Sequence, residues 1–78
     1  MRRPTEERAM SVEYLLVTYK DHRDVLADGD PVGVTNNTIM LQPNEYIITL
    51  SGDGYDPRSH AVVVAGTSIA QPKKVVFS

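Results

Sequence analysis

The sequence contains no cysteine and no tryptophan, and phenylalanine occurs once. Without cysteine, the chain forms no disulfide, no thiolate metal site and no thiol nucleophile. It also lacks an apolar run long enough for a transmembrane helix, so we expect no membrane insertion. A chain of 78 residues is one domain at most and buries a modest core. No covalent cross-link therefore adds to the stability of that core.

Neither sign of charge dominates the chain, which carries eight basic and ten acidic residues for a net charge of −2. Proteins that bind nucleic acid usually carry a basic surplus, so we expect no nucleic-acid partner. The start "MRRPTEERAM" is basic but has no apolar stretch behind it, and it therefore differs from a signal peptide. If Met1 is the native start, the lack of this signal favours the cytoplasm.

Residues 1–10 are polar and differ from the rest of the chain. Thr5 could cap a short helix through its hydroxyl, with the following glutamates in the first turn. The alternative is a disordered segment, because too few apolar side chains are present to offset the entropy of ordering. We therefore predict a flexible or short helical segment over 1–10 and a folded domain over 11–78.

Apolar residues in the domain follow a period of two, which indicates β-strands. In "EYIITLS", the side chains of Tyr46, Ile48 and Leu50 share one face of a strand. Turn signals separate the strands at spacings near ten residues: "DGDP", "NN", "PN" and "GDGYDP". We predict an all-β fold, a small antiparallel β-sandwich of about six or seven short strands.

One tyrosine follows a glycine directly at a turn, where a large ring would normally be exposed. Gly54 lets the backbone bend sharply, and we predict that the Tyr55 ring folds back over one open end of the sandwich. Its hydroxyl would then reach a backbone group or water. Ligand stacking by Tyr55 is the alternative interpretation.

The stretch "VLADGDPVGVTNNTIMLQPNEYIITLSGDGYDPRSHAVVV", residues 25–64, resembles the PEGA domain family. The resemblance lies in the order and spacing of its turn motifs: Asp28-Gly29, Val32-Gly33 with Thr35, Leu41 and Pro43 with Tyr46, and Gly54-Tyr55. The chain departs from the family pattern at Asn36, where proline is frequent, and at Asn44, where glycine is frequent. Asn44 should tolerate the left-handed backbone conformation that the glycine would adopt.

This resemblance implies an open antiparallel β-sandwich related to prealbumin-like and carboxypeptidase-regulatory-like modules. It implies no catalysis and suggests an accessory or adhesion module. Such domains are often found outside the bacterial cytoplasm, which conflicts with the missing signal. The residues expected to shape its turns are Asp28, Gly29, Gly33, Asn44, Gly54 and Tyr55.

No arrangement of residues in the sequence predicts a catalytic or metal site. His22 and His60 are far apart, and neither has ligand spacing with Asp21 or Asp24. The acidic turns "DGD" and "DGYD" are too short for a calcium loop. The serines lack the context of a nucleophile. We therefore expect no enzyme activity, no cofactor and no bound metal.

Two functional hypotheses remain. The first is an interaction module that binds a protein or a second copy of itself through exposed edge strands. The residues predicted to form this edge are Val62, Val63, Val64, Lys73, Lys74, Val75 and Val76. The second hypothesis is a carbohydrate-binding module that uses exposed tyrosines as platforms. Its candidate rings are Tyr14, Tyr19, Tyr46 and Tyr55, with Asn36, Asn37 and Asn44 nearby as amide partners.

Overall fold

The structure, a computed structural model, describes residues 12–78. The prediction for residues 1–10 lies outside this range. The described chain contains seven β-strands and no helix, and none of it forms a helix that could span a membrane. The strands are β1 (Glu13–Thr18), β2 (Asp24–Ala27), β3 (Asp30–Val34), β4 (Thr38–Leu41), β5 (Asn44–Leu50), β6 (His60–Val64) and β7 (Lys73–Val76). The predicted all-β class is confirmed.

The strands form two sheets. One has the order β4-β1-β7, and the other has the order β3-β2-β5-β6. The second sheet is antiparallel throughout, but β7 pairs parallel to β1, with Val17 opposite Val75. The predicted small β-sandwich is therefore antiparallel except at this one pair. The reason is topological, because β7 follows β6, which belongs to the other sheet. The chain crosses over to the end of the sandwich at which β1 begins, and β7 therefore runs in the same direction as β1.

Alternation along the strands fills the space between the sheets. In β1, Leu15 and Val17 are fully buried, and in β5 Ile48 and Leu50 are buried while Ile47 is exposed. In β5 this matches the face predicted for Ile48 and Leu50, because successive side chains of a strand point to opposite sides. The other buried apolar residues are Tyr19, Val25, Ala27, Ile39, Val64, Val75 and Phe77.

The hairpin between β2 and β3 has a two-residue turn at Asp28 and Gly29. Both residues have positive φ, 51° and 88° respectively, as the favoured tight hairpin turn requires. Asp28 also contacts β5: its N–H donates to the carbonyl of Ile47 at 2.9 Å, and its carboxylate accepts from the Ile47 N–H. This turn therefore fastens the hairpin to the next strand.

The two asparagines at which the chain departs from the PEGA pattern have different backbone conformations. Asn44 begins β5 and has no positive φ, so the expected left-handed conformation is wrong. Asn36 instead has a φ of 65°, which proline cannot adopt because its ring holds φ near −65°. The proline frequent in the PEGA pattern is thus incompatible with this turn.

Gly33 in β3 is needed for close packing between the sheets. A Cβ at Gly33 would lie 2.6 Å from Cγ1 of Ile39, which is too close for two carbon atoms. The absence of a side chain at Gly33 therefore lets the buried Ile39 of β4 approach β3.

Candidate functional site

One end of the sandwich, which we call the closed end, is covered by aromatic rings. Tyr55 is half-buried and packs edge-to-face against Tyr19 at 6.5 Å and against Phe77 at 5.4 Å between ring centroids. Such perpendicular packing is favourable between aromatic rings. Tyr55 thus contacts the core from the turn that follows Gly54, whose φ is 82°. The ring hydroxyl that bonds the backbone here belongs to Tyr19, which donates to the Gly54 carbonyl at 3.4 Å.

Beneath these rings, a buried hydroxyl joins two loops of the closed end. Thr35 is fully buried, and its hydroxyl accepts from the Arg23 N–H at 2.9 Å and donates to the Asp21 carbonyl at 2.7 Å. The Thr35 N–H also donates to the Arg23 carbonyl. The loop between β1 and β2 is therefore bonded to the turn between β3 and β4.

The neighbouring Asn36 completes this connection with its side-chain amide. Its Nδ2 donates to the Tyr19 carbonyl at 2.9 Å, and its Oδ1 accepts from the Tyr19 N–H at 3.3 Å. Its own N–H donates to the Val17 carbonyl at 2.7 Å. Asn36 therefore pairs with the backbone after β1 much as a residue of a neighbouring strand would.

Arg23 holds the glycine-rich turn that carries Tyr55. Its guanidinium donates to the carbonyls of Ser51 at 2.7 Å and Asp53 at 3.0 Å. It also lies 5.3 Å from the centre of the Tyr19 ring, a favourable position for a cation. The sequence indicated Thr35 only as part of a turn motif and did not single out Arg23, because a polar loop residue carries no sign of its distant backbone partners.

The two histidines have different surroundings. His22 is exposed in the loop before β2. His60 begins β6, packs against the Phe77 ring at 4.9 Å, and bonds the Val76 carbonyl through Nε2 at 2.9 Å. Among residues 12–78, no group of three or more histidine and acidic side chains lies close enough to hold a metal ion. His60 is thus a bridge between the two sheets at their β6 and β7 sides.

The residues predicted to form one binding edge lie on two different edges. Val62, Val63 and Val64 belong to β6, the outer strand of the four-stranded sheet, and Lys73–Val76 is β7, the outer strand of the other sheet. Val64 and Val75 point into the core and are buried, so their side chains are not available to a partner. Val63 and Val76 are exposed, at 57% and 63%.

Three of the four outer strands have features that hinder pairing with another chain. In β3, Pro31 has no N–H, and the register against β2 shifts between Val25 and Leu26. The short strand β4 lies against β3 across the two sheets. In β7, two lysines occupy the first positions, and its last carbonyl accepts from His60. Lysine, proline, short strands and irregular register all protect sheet edges.

The β6 edge, which we define as the outer side of His60–Val64, has no proline, no lysine and no register shift, and β6 is one residue longer than β4 and β7. The side chains after His60 are Ala61 and three valines. No backbone group of Ala61–Val64 bonds outside the sheet to any other described residue. The β6 edge is therefore the one edge of the described sandwich left open.

The backbone orientation of β6 follows from its pairing with β5. Ile47, opposite Ala61, directs its N–H and carbonyl to Asp28, on the side away from β6. Ile47 and Ala61 are thus a non-hydrogen-bonded pair, and the next such pair is Glu45 with Val63. In these pairs the backbone groups point away from each other. The N–H and carbonyl groups of Ala61 and Val63 therefore point outward from the β6 edge.

Side chains next to this edge are apolar on the outer face of the sheet. Val63 is 57% exposed, Ile47 is 46% exposed, and Ala61 is exposed between them. Ala61 and Ile47 were missing from the predicted edge. The alternation of "HAVVV" could have identified Ala61, because it shares a face with Val63.

None of the four tyrosines is an exposed platform. Tyr19 is buried, and Tyr14, Tyr46 and Tyr55 are half-buried. The Tyr46 hydroxyl donates to the Gln42 carbonyl at 2.7 Å.

At the other end of the sandwich, an acidic side chain holds the connection between β6 and β7. Glu13 accepts from the N–H of Thr67 at 2.8 Å and from its hydroxyl at 2.5 Å. These two donors lower the pKa of the Glu13 carboxyl, the side-chain bond contributing most. The Thr67 hydroxyl also accepts from the Tyr14 N–H at 2.7 Å. The connection is thereby attached to the start of β1.

Comparison with known proteins adds no relative: no protein-family model, no curated sequence and no solved structure matches the chain.

Proposed function

We propose that the chain is a non-enzymatic β-sandwich interaction module, PEGA-like in its turn motifs, that binds a protein partner by strand addition at the β6 edge. The observation that carries this proposal is the pair of outward-pointing backbone units at Ala61 and Val63, on an edge without protective residues. An extended segment of a partner would supply the missing hydrogen bonds.

Affinity and selectivity would come from different parts of this edge. Backbone pairing contributes affinity that depends little on the partner's sequence. Selectivity would come from the outer face, where the exposed Val63 and Ile47 favour a segment with apolar side chains at alternate positions. The buried side chains of β6 would remain in the core throughout.

The polar side chains of the chain support a non-enzymatic role. Asp28 bonds the backbone of β5, Glu13 bonds Thr67, and His60 bonds the Val76 carbonyl. Each of these groups is used in joining strands or loops. A protein partner is also more consistent with the site than a carbohydrate, because a sugar platform needs an open ring face and the tyrosines are at least half-buried.

Selection from a display library of random linear peptides tests this function. Peptides enriched on the wild-type chain should bind at least about tenfold more weakly to Ala61→Pro, which removes an outward N–H, and to Val63→Lys. Proline is tolerated at Ala61 because its N–H is not used in the ladder with β5. Val76→Lys is the matched control, since Val76 is as exposed as Val63 but lies on β7.

The expected result is unchanged binding to Val76→Lys and weakened binding to both β6 variants. Enriched peptides that bind all three variants equally, or no enrichment at all, would overturn the proposal. A glycan array with the same variants tests carbohydrate binding, and a sugar captured by every variant would favour that alternative.

A further inference from the structure

We infer that the partner of the β6 edge is a second copy of this chain, paired antiparallel across a two-fold axis at Val62. This inference rests on the proposed strand-addition function and identifies the occupant of the same edge. A two-fold dimer presents the same surface twice, so its interface must be complementary to itself. The β6 edge meets this condition in its backbone, its side chains and its charges.

The β6 backbone of one copy can pair with the β6 backbone of a second copy in one register. With Val62 opposite the partner's Val62, Ala61 stands opposite the partner's Val63, and Val63 opposite the partner's Ala61. The outward N–H and carbonyl of each residue then meet the complementary groups of the other copy. A shift of this register by one pair would leave one of the two outward units without a strand residue opposite it. The central register therefore satisfies every outward group of Ala61 and Val63.

The side chain at the axis fits as well. Val62 points toward the core, packs against it, and is half-buried because nothing described covers its outer side. In the inferred dimer, Val62 and the partner's Val62 form a non-hydrogen-bonded pair, in which the Cα atoms approach to about 4.5 Å. Each valine would cover the exposed part of the other, and the cores of the two copies would become continuous.

On the outer face, side chains of both copies would lie in two rows that cross the four adjoining strands. The first row contains Ile47 and Ala61 of one copy, and then the partner's Val63 and the partner's Glu45. The two-fold axis places the other glutamate at the opposite end of the second row. No charged side chain therefore lies in the two central strands, and like charges do not face each other. By contrast, the same pairing at β7 would bring lysines into the edge.

A five-residue strand provides a small interface. Stable interfaces bury about 1,600 Å² in total, which one pair of short strands does not reach. The dimer should therefore form in a concentration-dependent way and dissociate on dilution. Its formation would join the two four-stranded sheets into one continuous sheet across the axis.

Sedimentation equilibrium of the full chain tests the inference over protein concentrations from about 10 μM to about 500 μM. We expect the wild type to show a monomer–dimer equilibrium. Ala61→Pro and Val63→Lys should each raise the dissociation constant at least about tenfold, because one removes a donor and the other places a charge at the edge. Val76→Lys should change it by less than about twofold, and a melting curve of each variant verifies folding.

Three results would overturn the inference: a wild type that stays monomeric throughout, a dimer that both β6 variants retain, or a dimer that Val76→Lys weakens equally. Failure of the inference is distinguishable from failure of the proposed function, because peptide selection is carried out at concentrations where the chain is monomeric. Peptides that bind through β6 to a chain that never dimerises would support the function and refute self-pairing.

Amide hydrogen exchange gives a residue-level readout of the same pairing. In dilute solution, the amides of Ala61 and Val63 should exchange quickly, while that of Val62 is protected by its bond to β5. At high concentration, the amides of Ala61 and Val63 should become protected, and Val76→Lys should leave this change intact. Protection that does not depend on concentration would contradict the inference even if a dimer forms.

Discussion

The closed end and the β6 edge meet at a single residue, yet they are built in opposite ways. At the closed end, His60 bridges to the Val76 carbonyl and to the Phe77 ring. One residue further along, Ala61 directs its N–H and carbonyl outward to no described group. The strand therefore passes directly from a region where side chains bond backbone groups to one where the outward backbone groups bond no residue of 12–78.

This difference shows how a small domain without disulfides closes one region and leaves another available. Thr35, Asn36 and Arg23 each contact backbone of a distant loop, so the closed end is joined by polar contacts that a single substitution can remove. The β6 edge depends on alternation alone, and a substitution of the exposed Val63 side chain removes no internal hydrogen bond. Substitutions at the two regions should thus affect different properties: folding in one and association in the other.

The largest effect on folding is expected for Asn36→Pro. Proline cannot adopt the φ of 65° found at Asn36, and it lacks the N–H that donates to the Val17 carbonyl. The variant should lose at least about 4 kcal/mol, which is most of the stability of a small domain. Far-ultraviolet circular dichroism during chemical denaturation measures this loss.

Asn36→Gly is the control for that experiment. Glycine retains the left-handed conformation and loses only the two side-chain bonds to Tyr19, at a cost of about 2 kcal/mol. A stable proline variant would show that this turn follows the proline pattern of the PEGA family instead of the left-handed geometry.

A smaller but still large effect is expected for Tyr55→Ala. The substitution removes the ring that packs between Tyr19 and Phe77, and the free energy of unfolding should fall by about 3 kcal/mol. Tyr55→Phe keeps the ring and should stay within about 0.5 kcal/mol of the wild type. Thermal unfolding compares the three chains.

Val63→Lys, measured as a dilute monomer, completes this comparison at the β6 edge. Its effect on unfolding should stay below about 0.5 kcal/mol, since the side chain is 57% exposed. Two outcomes would remove the distinction between the two regions. In the first, Tyr55→Ala melts like the wild type; in the second, Val63→Lys loses as much unfolding free energy as Tyr55→Ala.

Thr35→Val tests the polar part of the closed end with little change in side-chain volume. It removes the fully buried hydroxyl that now pairs with the Arg23 N–H and the Asp21 carbonyl, two part-buried backbone groups. The loss of both bonds should lower the stability by about 2 kcal/mol. Thr38→Val makes the same change at an exposed position of β4 and should be nearly neutral. Equal melting temperatures for the two variants would show that the buried bonds of Thr35 contribute nothing.

The sequence was sufficient to predict the strands, because alternation is local and each run ends at a glycine, an asparagine or a polar stretch such as "DHRD". It predicted that Tyr46, Ile48 and Leu50 share one face of a strand and that Asp28 and Gly29 form a turn. The parallel pairing of β7 with β1 could not be predicted, because it joins the first and last strands through no local signal. The same holds for Thr35, whose partners lie in a loop that the sequence places twelve or more residues away.

For the candidate site, the sequence indicated the strand but not its orientation. "HAVVV" suggested an apolar edge, and the predicted set combined it with "KKVV" because both segments are short and rich in valine. Their separation into two sheets follows from the pairing of β7 with β1, and the outward direction of the Ala61 backbone follows from which side of β5 bonds to Asp28. That is a property of register, and register between distant strands has no signal in a single sequence.

A small, pH-dependent effect is expected for Glu13→Gln, at the end of the sandwich opposite the closed end. Thr67 lowers the pKa of the Glu13 carboxyl by donating two hydrogen bonds to its charged form. A carboxyl with a lowered folded-state pKa stabilises the fold at pH values above its unfolded-state pKa. That stabilisation is lost as the pH falls through the lowered pKa.

The wild type should therefore lose more stability between about pH 7 and about pH 3 than Glu13→Gln does, and the variant should melt slightly lower at neutral pH. Thermal melts across this range measure the difference, and Glu45→Gln is the control because Glu45 is exposed at the outer face of β5. Parallel pH curves for the wild type and Glu13→Gln would contradict the role of Thr67. In that case the charge of Glu13 would add nothing to the connection between β6 and β7, which would be held by the Tyr14 N–H bond to Thr67 and by packing.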